Sequence, residues 1–242
     1  MNFSNQKNTD LLPEKYTCFS SSEAMKVGIV ICLSLCCALF AITNNVLLGQ
    51  QLVYIDRIIS TWVKINQKPD TNYILGLLTY IGERKLLMLV MLISTAILIY
   101  LKKKLEAVLL NAGCFSTALS VYFLKYFIGR PGPMEGREID HGWSIHNGDW
   151  AFPSGHTTMT TFIYIFLGYL LLKFCKNKFV GATLFISSIF ISLLVGATRL
   201  YLNAHWFSDV LAAYVLSGAY LSLFITILEV YYRSHRDMFH RQ

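Results

Sequence analysis

Two short polar segments carry the residues whose types and spacing could do chemistry. The first is 153–156, with the sequence Pro-Ser-Gly-His, directly before a long apolar run. A segment of this kind that opens a helix presents backbone N–H groups, a hydroxyl and an imidazole at one point, and helix N-termini bind phosphate in this way. Gly155 would let an oxyanion approach the backbone closely. The segment therefore predicts an anion site.

The second segment, 198–209, brings Arg199, His205 and Asp209 before another apolar run. If a helix begins near His205, Asp209 lies one turn later on the same face. A carboxylate in that position can hold an imidazole in one tautomer. The spacing therefore predicts an oriented histidine beside a guanidinium.

Lys125, the one lysine well inside an apolar run, completes a set that suits phosphate chemistry. Arginine forks match phosphate oxygens and lysine supplies a point charge. We expect His205 to attack phosphorus, because Asp209 can orient it, and His156 to protonate the leaving oxygen. The positive end of a helix should lower the pKa of His156, and bound phosphate would oppose that shift.

Each of these residues also has an ordinary explanation. A serine at a helix start is usually only a cap, an arginine near the membrane surface can be an anchor, and a lone histidine there is usually just polar. Ionisable groups at membrane depth are expensive, however, and they usually serve a function. The combination favours a functional site over a set of anchors.

The composition indicates a membrane protein. The chain has 242 residues, of which 55% are hydrophobic and 14% charged, whereas a soluble domain carries about 25% charged residues. The net charge of +7 fits basic cytoplasmic loops, and no basic stripe alternates with aromatic residues as a nucleic-acid partner would require. The cysteines have no zinc-site spacing. We therefore expect no metal, no cofactor and no nucleic acid.

The hydropathy pattern predicts an all-α, multi-pass membrane protein with six spanning helices. A cytoplasmic tail, 1–24, precedes one membrane domain, 25–232, whose core motifs occupy 125–209, and a second tail, 233–242, follows. The predicted spans are 27–46, 86–101, 105–128, 157–172, 179–197 and 210–231.

Residues 52–65 predict an amphipathic helix that lies on the bilayer, with an ordinary structured loop as the alternative. Its apolar face carries Ile55, Trp62 and Val63, and its polar face carries Ser60 and Lys64. The segment 73–81 is apolar but too short to cross.

Lysine and arginine positions predict the sidedness. Both tails and the loops 102–104 and 173–178 hold most of the basic residues, so the positive-inside rule makes both termini cytoplasmic. Lys125, the 153–156 turn, Arg199 and His205 then all lie at extracytoplasmic helix ends. Nothing in the hydropathy requires that convergence.

These motifs resemble those of the type-2 phosphatidic acid phosphatase family, within the superfamily that includes bacterial acid phosphatases and vanadium haloperoxidases. The family's second motif, Pro-Ser-Gly-His, is intact at 153–156. Its third motif, Ser-Arg, five residues, His, three residues, Asp, is present with Thr198 in place of Ser. The resemblance covers roughly residues 105–230.

The resemblance implies an integral-membrane, metal-independent phosphatase that acts on a lipid phosphomonoester or diphosphate through a phosphohistidine. It implies His205 as nucleophile, Asp209 as its partner and His156 as acid. The implied phosphate ligands are Lys125, Ser154, Gly155 and Arg199. Family members act on phosphatidate, phosphatidylglycerophosphate, undecaprenyl diphosphate or the phosphates of lipid A. Small size and short tails are typical of a bacterial inner-membrane member.

The first motif departs from the family pattern of Lys, six residues and Arg-Pro. Counted from Lys125, Gly132-Pro133 stands where Arg-Pro is expected, and Arg130-Pro131 lies two residues earlier. We expect Arg130 to supply the missing phosphate ligand. The alternatives are a lipid phosphotransferase, a catalytically weak member that binds lipid phosphates, and a small transporter, although the spans show few charges at mid-depth.

Overall fold

The computed structural model describes residues 21–133 and 150–239, without the side chains of Asn72 and 236–239. These residues form helices and no strand, so the predicted all-α membrane class is confirmed. Most of the predicted tail 1–24 and the end of the tail 233–242 lie outside the described residues.

The described residues form eight α-helices and one 3₁₀ turn, Tyr80–Gly82. Each of the six predicted spans corresponds to one helix. The segment 52–65 falls in a shorter helix, and 73–81 covers the end of another and part of the 3₁₀ turn. The bounds are α1 Ser21–Leu47, α2 Gln51–Asn66, α3 Pro69–Thr79, α4 Arg84–Tyr100, α5 Lys104–Ile128, α6 Gly155–Phe174, α7 Lys178–Tyr201 and α8 Phe207–Phe239.

Five of these helices, α1, α5, α6, α7 and α8, are long and apolar enough to cross a membrane. The predicted span 86–101 corresponds to α4, which has 17 residues. A helix of that length rises about 26 Å, at the lower limit for crossing the hydrocarbon core. Many large apolar side chains of these helices are exposed, as expected for surfaces that face lipid.

The helix α6 lies at the centre of the bundle and packs against α5, α7 and α8. Phe162 and Phe166 are fully buried and stack with ring centroids 5.7 Å apart. A Cβ at Gly113 of α5 would lie 2.1 Å from the Phe162 ring, so the glycine permits the close approach of these two helices. This packing fixes the start of α6.

The helix α2 confirms the predicted helix at 52–65 but turns an unexpected face to the bundle. Asp56, Ser60 and Val63 are buried, whereas Ile55 and Trp62 are exposed. Hydropathy places Ser60 on an outer polar face; the structure buries it because its hydroxyl donates to Asn203 Oδ1 at 2.8 Å. Ser60 therefore faces the loop after α7.

The ends of α5 and α7 and the beginnings of α6 and α8 meet at one end of the bundle. Gly129 ends α5 in the left-handed conformation with φ 56°, which turns the chain toward the start of α6. Ala151 N–H donates to the Arg130 carbonyl at 2.7 Å, and Ser154 N–H donates to the Asp209 carbonyl at 3.1 Å. These bonds bring the predicted motifs together.

Candidate active site

The turn before α6 and the first residues of that helix line one side of the site. Ser154 is the N-cap residue and is completely buried, and its hydroxyl lies 3.0 Å from the Thr157 hydroxyl. The Thr158 hydroxyl donates to the Ser154 carbonyl at 2.7 Å. The first N–H groups of a helix lack intrahelical acceptors. Gly155 and His156 therefore present N–H groups where the positive end of α6 favours an anion.

His205 and Asp209 form a pair, as their spacing predicts. Asn203, in the left-handed conformation with φ 52°, turns the chain after α7, and α8 begins two residues after His205. Asp209 Oδ2 lies 3.6 Å from His205 Nδ1 and accepts from Trp206 N–H at 2.9 Å. The carboxylate is fully buried. The pair leaves His205 Nε2 as the nitrogen directed away from the carboxylate.

The positive groups near His205 come from two other helices. Arg199, in the last turn of α7, is 5% exposed. Lys125, in the last turn of α5, donates to the Trp150 carbonyl. Burial holds the pKa of His205 well below its usual range, and Arg199 and Lys125 act in the same direction. His205 is therefore neutral at pH 7, which is the form that can attack phosphorus.

His156 has a carboxylate partner that the sequence reasoning missed. Glu83, the residue before α4, places Oε2 3.7 Å from His156 Nε2. A carboxylate in this position can hold the imidazole in one orientation. In the sequence, Glu83 stands only as one charge in a polar stretch before an apolar run, 73 positions from His156, so no local pattern indicated the contact.

Arg130 lies at the site in an unexpected role. Its Nη1 lies 2.8 Å from Asp209 Oδ1 and its Nη2 2.6 Å from Asp56 Oδ2, and Nη1 also donates to Ser208 Oγ at 2.6 Å. The sequence predicts Arg130 as a phosphate ligand, but its two terminal nitrogens are directed at carboxylates. The sequence reasoning also missed Asp56. The available signal was a carboxylate within the predicted amphipathic helix 52–65.

The position of Gly132 is open to a side chain. A Cβ there would lie 3.7 Å from the Ala204 carbonyl oxygen and 3.9 Å from Ala151 Cβ, which are ordinary contacts. Position 132 therefore lacks the guanidinium that the family pattern places there, although the surroundings leave room for a side chain.

An apolar cavity of about 430 Å³ borders the turn. It lies among α4, α5 and α6, and it reaches Gly155 and His156 at one end. Flexible methionine side chains form part of its wall. Its lining includes Leu87, Met88, Met91, Cys114 and Met159.

Residues 21–133 and 150–239 contain no cluster of three or more His, Cys, Asp or Glu side chains that could hold a metal ion. Metal-independent activity remains a prediction that chelation must test.

Comparisons with known proteins identify the family of the chain. The family model described as the PAP2 superfamily matches residues 85–233, a stretch that contains both polar segments and Lys125. Phosphatidylglycerophosphatase B of Bacillus subtilis (strain 168) is 27% identical over 165 residues, which cover 66% of this chain and 77% of that protein.

A solved structure has the same fold. It is the crystal structure described as the first transmembrane PAP2 type phosphatidylglycerolphosphate phosphatase from Bacillus subtilis, with a TM-score of 0.71 at 24% sequence identity. The superposition covers 82% of this chain and 96% of that one. With the family model matching more than half of its length, the chain belongs to the PAP2 superfamily, as a multi-pass membrane phosphatase.

Proposed function

We propose that the protein hydrolyses the phosphate ester or diphosphate of a membrane lipid through a phosphohistidine on His205. The observation that carries this proposal is the proximity of two histidines, each within 3.7 Å of a carboxylate, with an apolar cavity that is lined by one of them, His156. One histidine can act as nucleophile and the other as acid, while the cavity accommodates an apolar chain.

In the first step, the phosphate binds between the start of α6 and the two cations. Arg199 and Lys125 neutralise the phosphate oxygens, and Ser154 and the Gly155 N–H donate to them. His205 Nε2 forms a bond to phosphorus while Asp209 accepts from Nδ1–H. The bond from phosphorus to the ester oxygen breaks, and His156 donates its proton to that oxygen. The lipid alcohol leaves.

In the second step, water attacks phosphorus and the P–N bond breaks. His156, now neutral, accepts a proton from the water, and inorganic phosphate leaves. Glu83 keeps the His156 imidazole oriented for the two proton transfers. His205 returns to its neutral form, which its buried position favours.

The cavity and the relatives point to a glycerophospholipid with a terminal phosphate. A wall that contains Met88, Met91 and Met159 can adapt to acyl chains of different shape. The similar Bacillus protein is called a phosphatidylglycerophosphatase. We propose the same class of phosphomonoester here, with lipid diphosphates and phosphate transfer to a second lipid as the alternatives.

We further propose that the site faces the extracytoplasmic side. The segments 102–104 and 173–178 lie at the opposite end of the bundle from Lys125 and Gly155, and they carry six lysines between them. The positive-inside rule places such an end in the cytoplasm.

The decisive experiment measures phosphate release by the purified protein in mixed micelles. Phosphatidylglycerophosphate, phosphatidate and undecaprenyl diphosphate are compared in the presence of EDTA. We expect release from a glycerophospholipid phosphate and an acid-labile phosphorylated protein after rapid quenching. Absence of release from all three lipids would refute the proposal, and appearance of the label on an added lipid alcohol would identify a transferase.

A further inference from the structure

Arg130 joins α2 to the histidine–aspartate pair. Its guanidinium lies between Asp56 of α2 and Asp209 of α8, and it is itself in the loop after α5. The ring of Trp206 lies 5.3 Å from the guanidinium carbon. Three separate parts of the chain therefore meet at a single cation, directly behind Asp209.

We propose that Asp56 and Arg130 are positioning residues that hold Asp209, and through it His205, in the reactive arrangement. The proposal rests on the function proposed above for the His205–Asp209 pair. It assigns Arg130 a role other than phosphate ligand, and it gives α2 a part in catalysis.

The contacts of Asp209 fix the rotation of its carboxylate. Oδ1 binds Arg130 Nη1 at 2.8 Å, and Oδ2 accepts from Trp206 N–H at 2.9 Å. Oδ2 is also the atom that faces His205 Nδ1. Loss of the contact on Oδ1 would leave the carboxylate free to rotate about its bond to the chain, away from the imidazole.

Asp56 in turn fixes Arg130. It is 1% exposed, and its Oδ2 binds both Arg130 Nη2 and the Ser208 hydroxyl at 2.6 Å. Its Oδ1 accepts from Ser208 N–H at 2.8 Å, in the first turn of α8. Such first-turn N–H groups lack partners within the helix and favour negative charge. Asp56 therefore fixes the position of the arginine relative to the start of α8.

The same contacts make Arg130 a poor phosphate ligand. Asp56 and Asp209 place two carboxylates on its terminal nitrogens, so its positive charge is offset where a phosphate dianion would need it. A buried ion pair is also costly to break, because separation leaves charges without compensation. Arg199 and Lys125 come from other helices and suit the phosphate better.

The test compares Arg130→Lys and Asp56→Asn with Arg199→Lys in the purified full-length protein. We measure kcat and KM for the lipid phosphate, and Kd for inorganic phosphate by calorimetry. The first two variants should lose kcat on the order of 10²-fold, as expected when a catalytic group is misplaced by about 1 Å. Their phosphate Kd should stay at the wild-type value, whereas Arg199→Lys should weaken phosphate binding.

A matched control separates positioning from general stability. Glu229→Gln removes a carboxylate that pairs with Lys173 near the other end of α8. It should lower Tm without a change in kcat of the folded protein. If Arg130→Lys and Asp56→Asn behave in that way, the positioning role is wrong. If Arg130→Lys weakens phosphate binding as much as Arg199→Lys, Arg130 is a phosphate ligand instead.

A readout that needs no turnover distinguishes failure of this inference from failure of the proposed function. Isotope-labelled histidine, with the His205 signals assigned through His205→Gln, reports its tautomer by NMR. Asp56→Asn should change the His205 signals and leave those of His235 unchanged. Unchanged His205 signals would contradict the inference, whether or not the wild type releases phosphate. A wild type without phosphatase activity would contradict only the proposed function.

Discussion

The described helices carry a polar cluster at each end of the bundle, and the two clusters are built differently. The remote cluster lies on α6, α8, and α5 with the residue before it, and consists of Lys103, Glu106, Tyr169, Lys173, Glu229, Tyr232 and Arg233. Glu229 accepts directly from Tyr169 and Lys173, and Glu106 accepts from Tyr232. Its charged groups meet in direct hydrogen bonds.

The active-site cluster keeps its histidines at a distance from their carboxylates. His205 Nδ1 lies 3.6 Å from Asp209 and His156 Nε2 lies 3.7 Å from Glu83, both beyond ordinary hydrogen-bond length. Catalytic hydrogen bonds are often long before substrate binds and shorten in the complex. The supporting contacts, between Arg130 and its two carboxylates, are of ordinary ion-pair length.

The difference indicates that polar contacts serve two purposes in the bundle. Direct contacts hold helices together at the remote end and hold Asp209 in place at the active end. The looser contacts leave the imidazoles able to bind a substrate and exchange protons. The predictions below test this division, from the largest expected effect on activity to the smallest.

The largest loss should follow removal of the nucleophile. His205→Gln should abolish phosphate release and the phosphorylated protein, because no other group is placed to attack phosphorus. Asp209→Asn should lower kcat by up to about 10⁴-fold, the effect of misorienting a catalytic imidazole in another triad. Both are measured by phosphate release from the lipid, and His235→Gln, an exposed histidine far along α8, is the control.

An active His205→Gln protein would mean that another residue is the nucleophile. The proposed difference between the two clusters would then be wrong.

The sequence predicted the helices and the active-site pairs that local spacing determines. Asp209 follows His205 by one helical turn, and the 153–156 turn directly precedes an apolar run, so both could be identified from the sequence. The hydrophobic runs also predicted the helices, because a segment that spans the membrane must satisfy its own backbone hydrogen bonds and a helix does so locally.

The sequence did not reveal the partners that lie far away along the chain. Asp56 and Glu83 reach the site only because α2 and α4 pack beside it, and no spacing rule connects residues so distant in sequence. Burial of Ser60 was missed for the same reason, since hydropathy cannot anticipate its hydrogen bond to Asn203. The orientation of Arg130 likewise depends on two carboxylates from other helices.

A smaller loss should follow Glu83→Gln, and it should depend on the leaving group. Without the carboxylate, the imidazole of His156 is less well oriented for proton transfer, so kcat for a lipid alkyl phosphate should fall by about tenfold, a part of what general acid catalysis contributes. p-Nitrophenyl phosphate has a leaving group that needs little protonation, so its hydrolysis should hardly change. Phosphate release from the two substrates gives the ratio, with Asp70→Asn as an exposed control.

Equal losses on the lipid and on p-nitrophenyl phosphate would mean that Glu83 supports the fold and not the acid.

The pH profile should show the depressed pKa of His205. Burial, Arg199, Lys125 and His156 all disfavour its protonated form, while a hydrogen bond from the imidazole to the Ala151 backbone and the nearby Asp209 favour it. Since the neutral form attacks, kcat/KM should persist as the pH falls through about 6.5, the ordinary value for histidine. The acid limb should therefore lie below that pH.

Arg199→Gln removes one of these positive charges and should move the acid limb of kcat/KM toward higher pH. An acid limb above 6.5 in the wild type would contradict the depressed pKa.

The smallest effect on activity should come from the remote cluster. In Glu229→Gln, Lys173 and Arg233 lose their anionic partner, while the amide can still accept from Tyr169. Tm should fall, by roughly 2–4 °C for each kcal/mol lost in a protein of this size, because Glu229 links α6 to α8. The value of kcat should stay at the wild-type level, since the start of α8 is held separately by Asp56 and Arg130. Thermal unfolding and phosphate release measure the two effects on one preparation. A loss of kcat that remains after correction for the folded fraction would show that the remote end acts on the active site through α8. The two clusters would then be energetically coupled.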